Sequence, residues 1–282
     1  MSVGKKIEKV VINFLKYFSL CFAAFIAVIP VIVCVISAFK SDAEYKTTNV
    51  MTLPQNWFNF ENFKFAWSKA NMFVAFRNTF IILVVVICGS ILIGSMLAYV
   101  LNRFKFPGNA LIRNLFLFAT LIPGVATQVT VYQIMTSLNL VDKLYGYIIL
   151  MLGTDVIAIY VFLQFFENLS TSLDESAIMD GCTYFGVFFK ILLPLLKPAI
   201  VTCMILKGVA VYNEYYMSNL YLQSREKLVT VSTSLYVFTG PYGSQFNYIC
   251  AGVLITIIPA LIIFIFCQKH IYSGLAMGAV KG

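Results

Sequence analysis

The 282-residue sequence predicts an all-α membrane protein with six helical transmembrane spans. Hydrophobic residues make up 60% of the chain and charged residues 11%, whereas a soluble domain is about a quarter charged. Mean hydropathy is +0.87. The apolar residues gather into runs of about 20, the length a helix needs to cross a bilayer. Between two of these runs lies a polar interruption, ESAIMDGCTYFGVFFKILLP, from Glu175 to Pro194.

The elements follow in order. Residues 1–18 are basic. Ile7, Val10, Val11 and Phe14 fall at helical spacing, opposed by Lys6, Lys9, Asn13 and Lys16, a pattern suited to a helix lying on the inner leaflet. No A-x-A-like cleavage site follows, and the first apolar run continues to Phe39, too long for a signal peptide. It is therefore a span. The six spans are Ser19–Phe39, Asn78–Leu101, Leu111–Met135, Leu144–Phe166, Ala199–Leu220 and Tyr248–Cys267. Together they make a membrane domain over 19–268, with external loops at 40–77 and 221–247 and a tail at 269–282. Pro30, Pro123 and Pro259 lie inside three spans; membrane helices tolerate such prolines, which mark kinks. The second span holds Gly89, Ser90, Gly94, Ser95 and Ala98. Its Ser90-x-x-x-Gly94 pattern permits close helix contact, or is ordinary lipid-facing filler.

Lysine and arginine counts set the orientation. Lys5, Lys6, Lys9 and Lys16 precede the first span; Arg103, Lys105 and Arg113 follow the second; Lys269 and Lys281 follow the sixth. The short loops on the other side carry only Lys143, and Arg225 with Lys227. Both termini are thus expected in the cytoplasm of a bacterial cell, the chain crossing its cytoplasmic membrane several times. The net charge of +8 suits a protein facing anionic lipid and calls for no nucleic acid. Seven cysteines, mostly inside apolar runs and with no CxxC spacing, read as small packing residues.

In this orientation the loop 167–197 faces the cytoplasm, and its grammar is helix, turn, helix. Ser172-Leu173-Asp174-Glu175 has the form of a capping box. Asp174 and Glu175 sit at the positive end of the helix dipole. Gly181 stands where the first short helix should stop. Thr183 can cap a second helix that runs towards Pro194. Capping alone does not distinguish this from a plain interfacial hairpin.

The spacing does. Glu175, Ser176, Ala177, Asp180, Gly181, Ile191, Leu193 and Pro194 closely resemble the E-A-A-x3-G-x9-I-x-L-P signature of ABC importer permeases, with Ser176 in place of the first small residue. FNFENFKFAW with FRNTF before the second span, AYVLNRFKFPG after it, VYNEYY from Val211 to Tyr216, and the ending GLAMGAVKG are similar to the carbohydrate branch, the maltose-type second membrane subunit. The resemblance implies a type I importer permease fold whose loop forms a coupling helix. It also implies a second, homologous permease as heterodimeric partner, two ABC ATPase subunits that hydrolyse ATP-Mg, and an extracytoplasmic sugar-binding protein. No cofactor, metal or catalytic residue is expected in this chain, which has no G-x-x-x-x-G-K-[ST] loop.

Away from the span ends, the membrane interior holds three ionisable residues to weigh: Asp155, Lys207 and Glu214. Charges there are costly and face a cavity or a partner. Asp155 and Lys207 both come near mid-depth and are placed to pair. Lys207 and Glu214 are seven residues apart, about 10 Å along one helix face. With Tyr212, Asn213 and Tyr216 they offer a polar translocation path. The equal alternative is a buried structural pair flanked by interfacial tyrosines. In the loop 221–247, Tyr236, Thr239, Tyr242 and Gln245 surround turn signals at Pro241; by resemblance this loop meets the binding protein.

The expected function is therefore the permease subunit of an ATP-driven sugar or oligosaccharide importer, not an enzyme by itself. A competing class is an ion-coupled secondary carrier using Asp155, Lys207 and Glu214, against which the Glu175–Pro194 spacing stands.

Overall fold

A computed structural model describes the backbone of residues 3–153, 155–240 and 243–279, and the burial of all of these except 3–10 and 269–279. Among the described residues three helical stretches are long and apolar enough to cross a bilayer: Val11–Phe39, Met72–Arg103 and Phe246–Gln268. Three bent helix pairs raise the number to six if each is one crossing. The chain forms two compact units, residues 1–72 with 235–260, and 73–234 with 261–282.

The first unit begins with α1 (Val3–Phe39). It runs without a break from the basic segment into the expected first span and through Pro30. No glycine or proline separates residues 5–16 from the span, so nothing ends the helix at residue 18. Side chains of 5–10, which carry half of the expected amphipathic pattern, lie outside the described residues. Phe14, Phe18 and Phe22 stack along one exposed edge, their ring centroids 6.1 and 6.3 Å apart. After α1, the fully buried Lys40 donates from Nζ to Thr48 Oγ1 (3.0 Å) and to the Asn49 carbonyl (2.5 Å). Asn62 Nδ2 donates to the Ala38 and Lys40 carbonyls. The two Asn62 bonds satisfy carbonyls that would otherwise be orphaned where α1 stops. The loop also carries α2 (Asp42–Thr47) and α3 (Glu61–Lys69). Phe39, Trp57, Phe60 and Phe63 form one ring cluster.

The second unit is built on α4 (Met72–Arg103). α5 (Asn109–Leu121) and α6 (Gly124–Ser137) meet at 100°. Pro123 causes this: Ile122 before it is extended, as residues before proline prefer, so the expected third span is two helices. α7 (Leu144–Met151) and α8 (Val156–Glu167) likewise divide the expected fourth span. Then come α9 (Ser172–Met179), α10 (Tyr184–Gly186), a π-turn over Val187–Leu192, α11 (Leu193–Leu195) and α12 (Lys197–Tyr212). α13 (Tyr216–Tyr221) and α14 (Val231–Ser234) follow. The chain returns to the first unit with a 3₁₀ turn, the hairpin β1 (Thr239–Gly240) and β2 (Gly243–Ser244), and α15 (Phe246–Ala279), which passes Pro259 unbroken.

Two of the apolar clusters among the described residues make up most of the second unit's core. One joins Ala98 and Tyr99 of α4 to Phe162 and Phe166 of α8, Ala177 of α9, Phe188 and Leu192 of the π-turn, and Ala199 of α12. The other gathers Ile82, Val86, Met135, Tyr147, Val211 and Tyr221 towards the opposite end. The small residues of α4 make the close approach possible. A Cβ on Gly94 would stand 3.3 Å from Ala158 Cβ, and one on Gly89 would stand 2.2 Å from Leu152 Cδ2. Outward-facing aliphatic and aromatic side chains on every long helix remain exposed, as suits a surface whose solvent is hydrocarbon.

Candidate functional site

Two features of the second unit carry candidate function: the loop between α8 and α12, and a polar pair within the helices. The loop forms as its glycine predicts. Gly181 has φ +86°. Its N–H donates to the Ile178 carbonyl, and Cys182 N–H to the Ala177 carbonyl, both at 2.9 Å. That is a Schellman ending, which requires the left-handed residue supplied here by glycine. Thr183 Oγ1 then accepts from Gly186 N–H at 3.2 Å and starts the next turn.

The expected capping box is absent. α9 starts at Ser172, and its cap residue Thr171 makes no side-chain bond to the helix. Ser170 Oγ accepts from Ser172 N–H and pairs with Ser172 Oγ at 2.7 Å, so that hydroxyl is engaged outside the helix. Asp174 turns inward, away from the cap. It forms an ion pair with Arg103 Nε at the end of α4, at 2.5 Å. Burial pushes the Asp174 carboxyl above the usual aspartate range, against the pull of Arg103.

Glu175, Ser176 and Asp180 are exposed, while Ala177 is buried in the core. Ile191 and Leu193 pack partly against that core. Pro194 is exposed and has no N–H to continue an α-helical ladder. The turn ahead of it widens into the π-helix, where Leu193 N–H reaches the Phe188 carbonyl. The stretch Tyr184–Leu195 meets Lys197–Tyr212 at 76°. The expected fifth span therefore begins earlier and ends earlier than its hydropathy indicates. The loop's outer face is apolar: Met179 is 86% and Phe185 66% exposed, with Leu173, Ile178 and Tyr184 beside them.

Within the helices, Lys207 Nζ lies 3.3 Å from Asp155 Oδ2. Asp155 Oδ1 also accepts from Ala158 N–H at 3.1 Å, which makes Asp155 the N-cap of α8. The pair lines a cavity of about 180 Å³ with Ala158, Cys203, Leu206 and Ala210. Glu214 does not join it. α12 ends at Tyr212, so Lys207 and Glu214 share no continuous helix face. Glu214 instead accepts from Met217 N–H at 2.8 Å at the start of α13. Asn213 is exposed and returns its amide to the Val209 carbonyl. Tyr212 packs against Ala75, Val229 and Val231, whereas Tyr216 is exposed. The sequence-predicted path residues thus divide between a partly buried pair and a helix terminus.

In the first unit, Tyr236 is exposed and Thr239 begins β1, which pairs Thr239 with Ser244. Gln245 N–H donates to the Phe238 carbonyl at 3.0 Å. Tyr242 lies outside the described residues. So do residues 280–282 and the side chains of 269–279, and with them most of the GLAMGAVKG ending. No group of three or more metal-ligating side chains occurs among the described residues.

Three to six helical stretches long and apolar enough to cross a bilayer fit a multi-pass membrane protein. The chain belongs to the family of binding-protein-dependent transport system inner membrane components, whose model matches residues 90–273. It is 31% identical over 274 residues to the arabinooligosaccharides transport system permease protein AraQ of Halalkalibacterium halodurans, covering 96% of this chain and 98% of that one. It is 29% identical over 253 residues to the probable starch degradation products transport system permease protein AmyC of Thermoanaerobacterium thermosulfurigenes, covering 89% and 91%. The fold matches a chain from the crystal structure of a bacterial ABC transporter involved in import of the acidic polysaccharide alginate, with a TM-score of 0.79 and 22% identity over 95% of this chain and 98% of that one. Its relatives are named as permease components, not as enzymes.

Proposed function

We propose that this chain is a permease subunit of an ATP-driven importer of sugars or oligosaccharides and that it couples to ATPase subunits through the Glu175–Pro194 loop. The observation that carries this reading is the loop's construction. A glycine-stopped helix, anchored inward by Ala177 and Asp174, turns Met179, Ile178 and Phe185 outward beside the exposed Glu175. An exposed apolar patch with a charged rim is suited to docking a partner, here the groove of an ATPase subunit on the cytoplasmic side, where both termini also lie. ATP-driven motion of the docked loop then shifts the equilibrium between two states of the membrane helices.

Cargo in the oligosaccharide class is supported by the named substrates of the relatives, arabinooligosaccharides and starch degradation products. A second, homologous permease completes the path as a heterodimer. Exposed Tyr236 and Thr239, with Gln245 behind the hairpin, are offered to the extracytoplasmic binding protein. An ion-coupled carrier would need Asp155, Lys207 and Glu214 to act together, and Glu214 is committed to Met217 N–H.

The test uses the complete complex. Glu175→Ala and Gly181→Val are each expected to lower ATPase stimulation by the loaded binding protein while the permeases still assemble. Full stimulation in both variants would sink the reading.

A further inference from the structure

Arg103 is the last residue of α4, and its guanidinium contacts groups on both α8 and α9 and in the turn between them. Nη1 donates to the Phe166 carbonyl at 3.5 Å and to Asn102 Oδ1 at 3.0 Å. Nη2 donates to the Leu169 carbonyl at 3.0 Å and the Ser170 carbonyl at 3.5 Å. Nε meets Asp174 Oδ2 at 2.5 Å. The guanidinium carbon stands 5.9 Å from the centre of the Phe166 ring. Three elements converge on it: the end of α4, the carbonyls that follow α8, and the first turn of α9.

Burial makes the arrangement consequential. The Arg103 and Asp174 side chains are 9% and 11% exposed. Arg103 Nε and both Asp174 oxygens have no hydrogen-bond partner among the described residues, so the contact is a charge pairing in which Arg103 is the counter-charge of that carboxylate. Removing one member strands the other out of water. The planar fork suits Arg and not Lys, since only a guanidinium presents several donors in fixed directions. Asp174 faces the bundle while Glu175, next to it, is exposed. One turn of α9 therefore carries an inward anchor beside the outward face assigned above to docking.

We infer that Arg103 is a positioning residue that transmits motion of the loop helix α9 to α4 and α8. This deepens the coupling reading of the Glu175–Pro194 loop and rests on it. Without the fork, α9 would still move with the ATPase, but the displacement would end in the loop.

The test places one environment-sensitive fluorophore on α9 at the exposed Met179, and in a separate preparation at the exposed Leu138, in the turn at the other end of α7–α8. Each is read in the complete complex before and after Mg-ATP with vanadate. In the parent complex both labels are expected to respond. With Arg103→Gln the Met179 response is expected to persist and the Leu138 response to fall by about tenfold, the size of a typical coupling term. Arg103→Lys keeps a charge on Asp174 and lacks the fork; it serves where Arg103→Gln does not assemble and is expected to weaken the Leu138 response by about fivefold. Arg103→Gln with Asp174→Asn removes both buried charges and is expected to restore thermal stability without restoring the Leu138 response. Parental responses of both labels in the single variants would overturn the inference, as would the double variant restoring stability and the Leu138 response together. A parent complex whose Met179 label ignores nucleotide would instead overturn the coupling reading itself, and the inference with it.

Discussion

Lys207 Nζ lies 3.3 Å from Asp155 Oδ2 where α12 passes the gap between α7 and α8. One carboxylate does two jobs there, since its other oxygen caps α8 through Ala158 N–H. Charge pairing and helix initiation are therefore separable by substitution.

Asp155→Asn keeps an N-capping side chain and leaves Lys207 charged in a site where its side chain is 18% exposed. The expected loss is roughly 3 kcal/mol, the cost of an uncompensated buried charge. Adding Lys207→Met should recover most of it. Thermal unfolding of the purified complex measures both; an Asp155→Asn variant as stable as the parent would contradict the pairing.

Gly94 faces Ala158 with no room for a larger side chain. Gly94→Leu is expected to cost about 1–3 kcal/mol through overpacking between α4 and α8. A lowered unfolding midpoint, partly rescued by Ala158→Gly, is the expected result. Unchanged stability would mean that the two helices do not meet there.

Gly181 holds φ +86° with nothing within 4 Å of the position a Cβ would take. The strain of a substitution is thus conformational and not steric. Gly181→Asn should be tolerated better than Gly181→Val, because asparagine enters the left-handed region more readily. The difference is expected to be about 1 kcal/mol, read as relative protease resistance of the loop in the folded complex.

Asp142 clamps the turn after α6 to the segment after α13. It accepts from Gln223 N–H at 2.9 Å, from Ser224 N–H at 2.7 Å, and from the Ser224 hydroxyl. These donors, the Ser224 hydroxyl foremost, hold its carboxyl below its ordinary value of 3.8. A depressed carboxylate contributes stability above that ordinary value and loses it as pH falls through the folded-state value. The protection of the Gln223 and Ser224 amides, taken relative to their intrinsic exchange rates, should therefore fall on acidification below about pH 4. Asp142→Asn should show fast exchange already at neutral pH; protection that ignores both acid and substitution would refute the clamp.

The six apolar runs were legible because hydrocarbon length is counted directly along a chain. Gly181 was legible for a similar reason: a left-handed helix stop is a local demand with a local solution. Asp155 shows the limit. Its charge within an apolar run pointed to Lys207, and the two lie 3.3 Å apart, but its role as a cap needed the break between α7 and α8 to be seen. Gly153-Thr154-Asp155 was the available signal, a small-residue interruption ending in a capping residue. Asp174 shows it again. Local grammar placed it only at the positive end of the helix dipole, and its distant partner Arg103 left no local signal. Arg103 entered the sequence reading only as one basic residue among several.

Composition and spacing by themselves determined that the chain crosses the membrane repeatedly, where its polar loop falls, and which residue ends the loop's first helix. Each depends on the preferences of a residue for its solvent or its own backbone, and those act within a few positions. The tertiary structure alone decided that Asp174 faces Arg103 and that Asp142 clamps Gln223 and Ser224. Those outcomes turn on which groups meet across 70 or so residues of chain, where desolvation and donor geometry choose among partners that the sequence presents as equals.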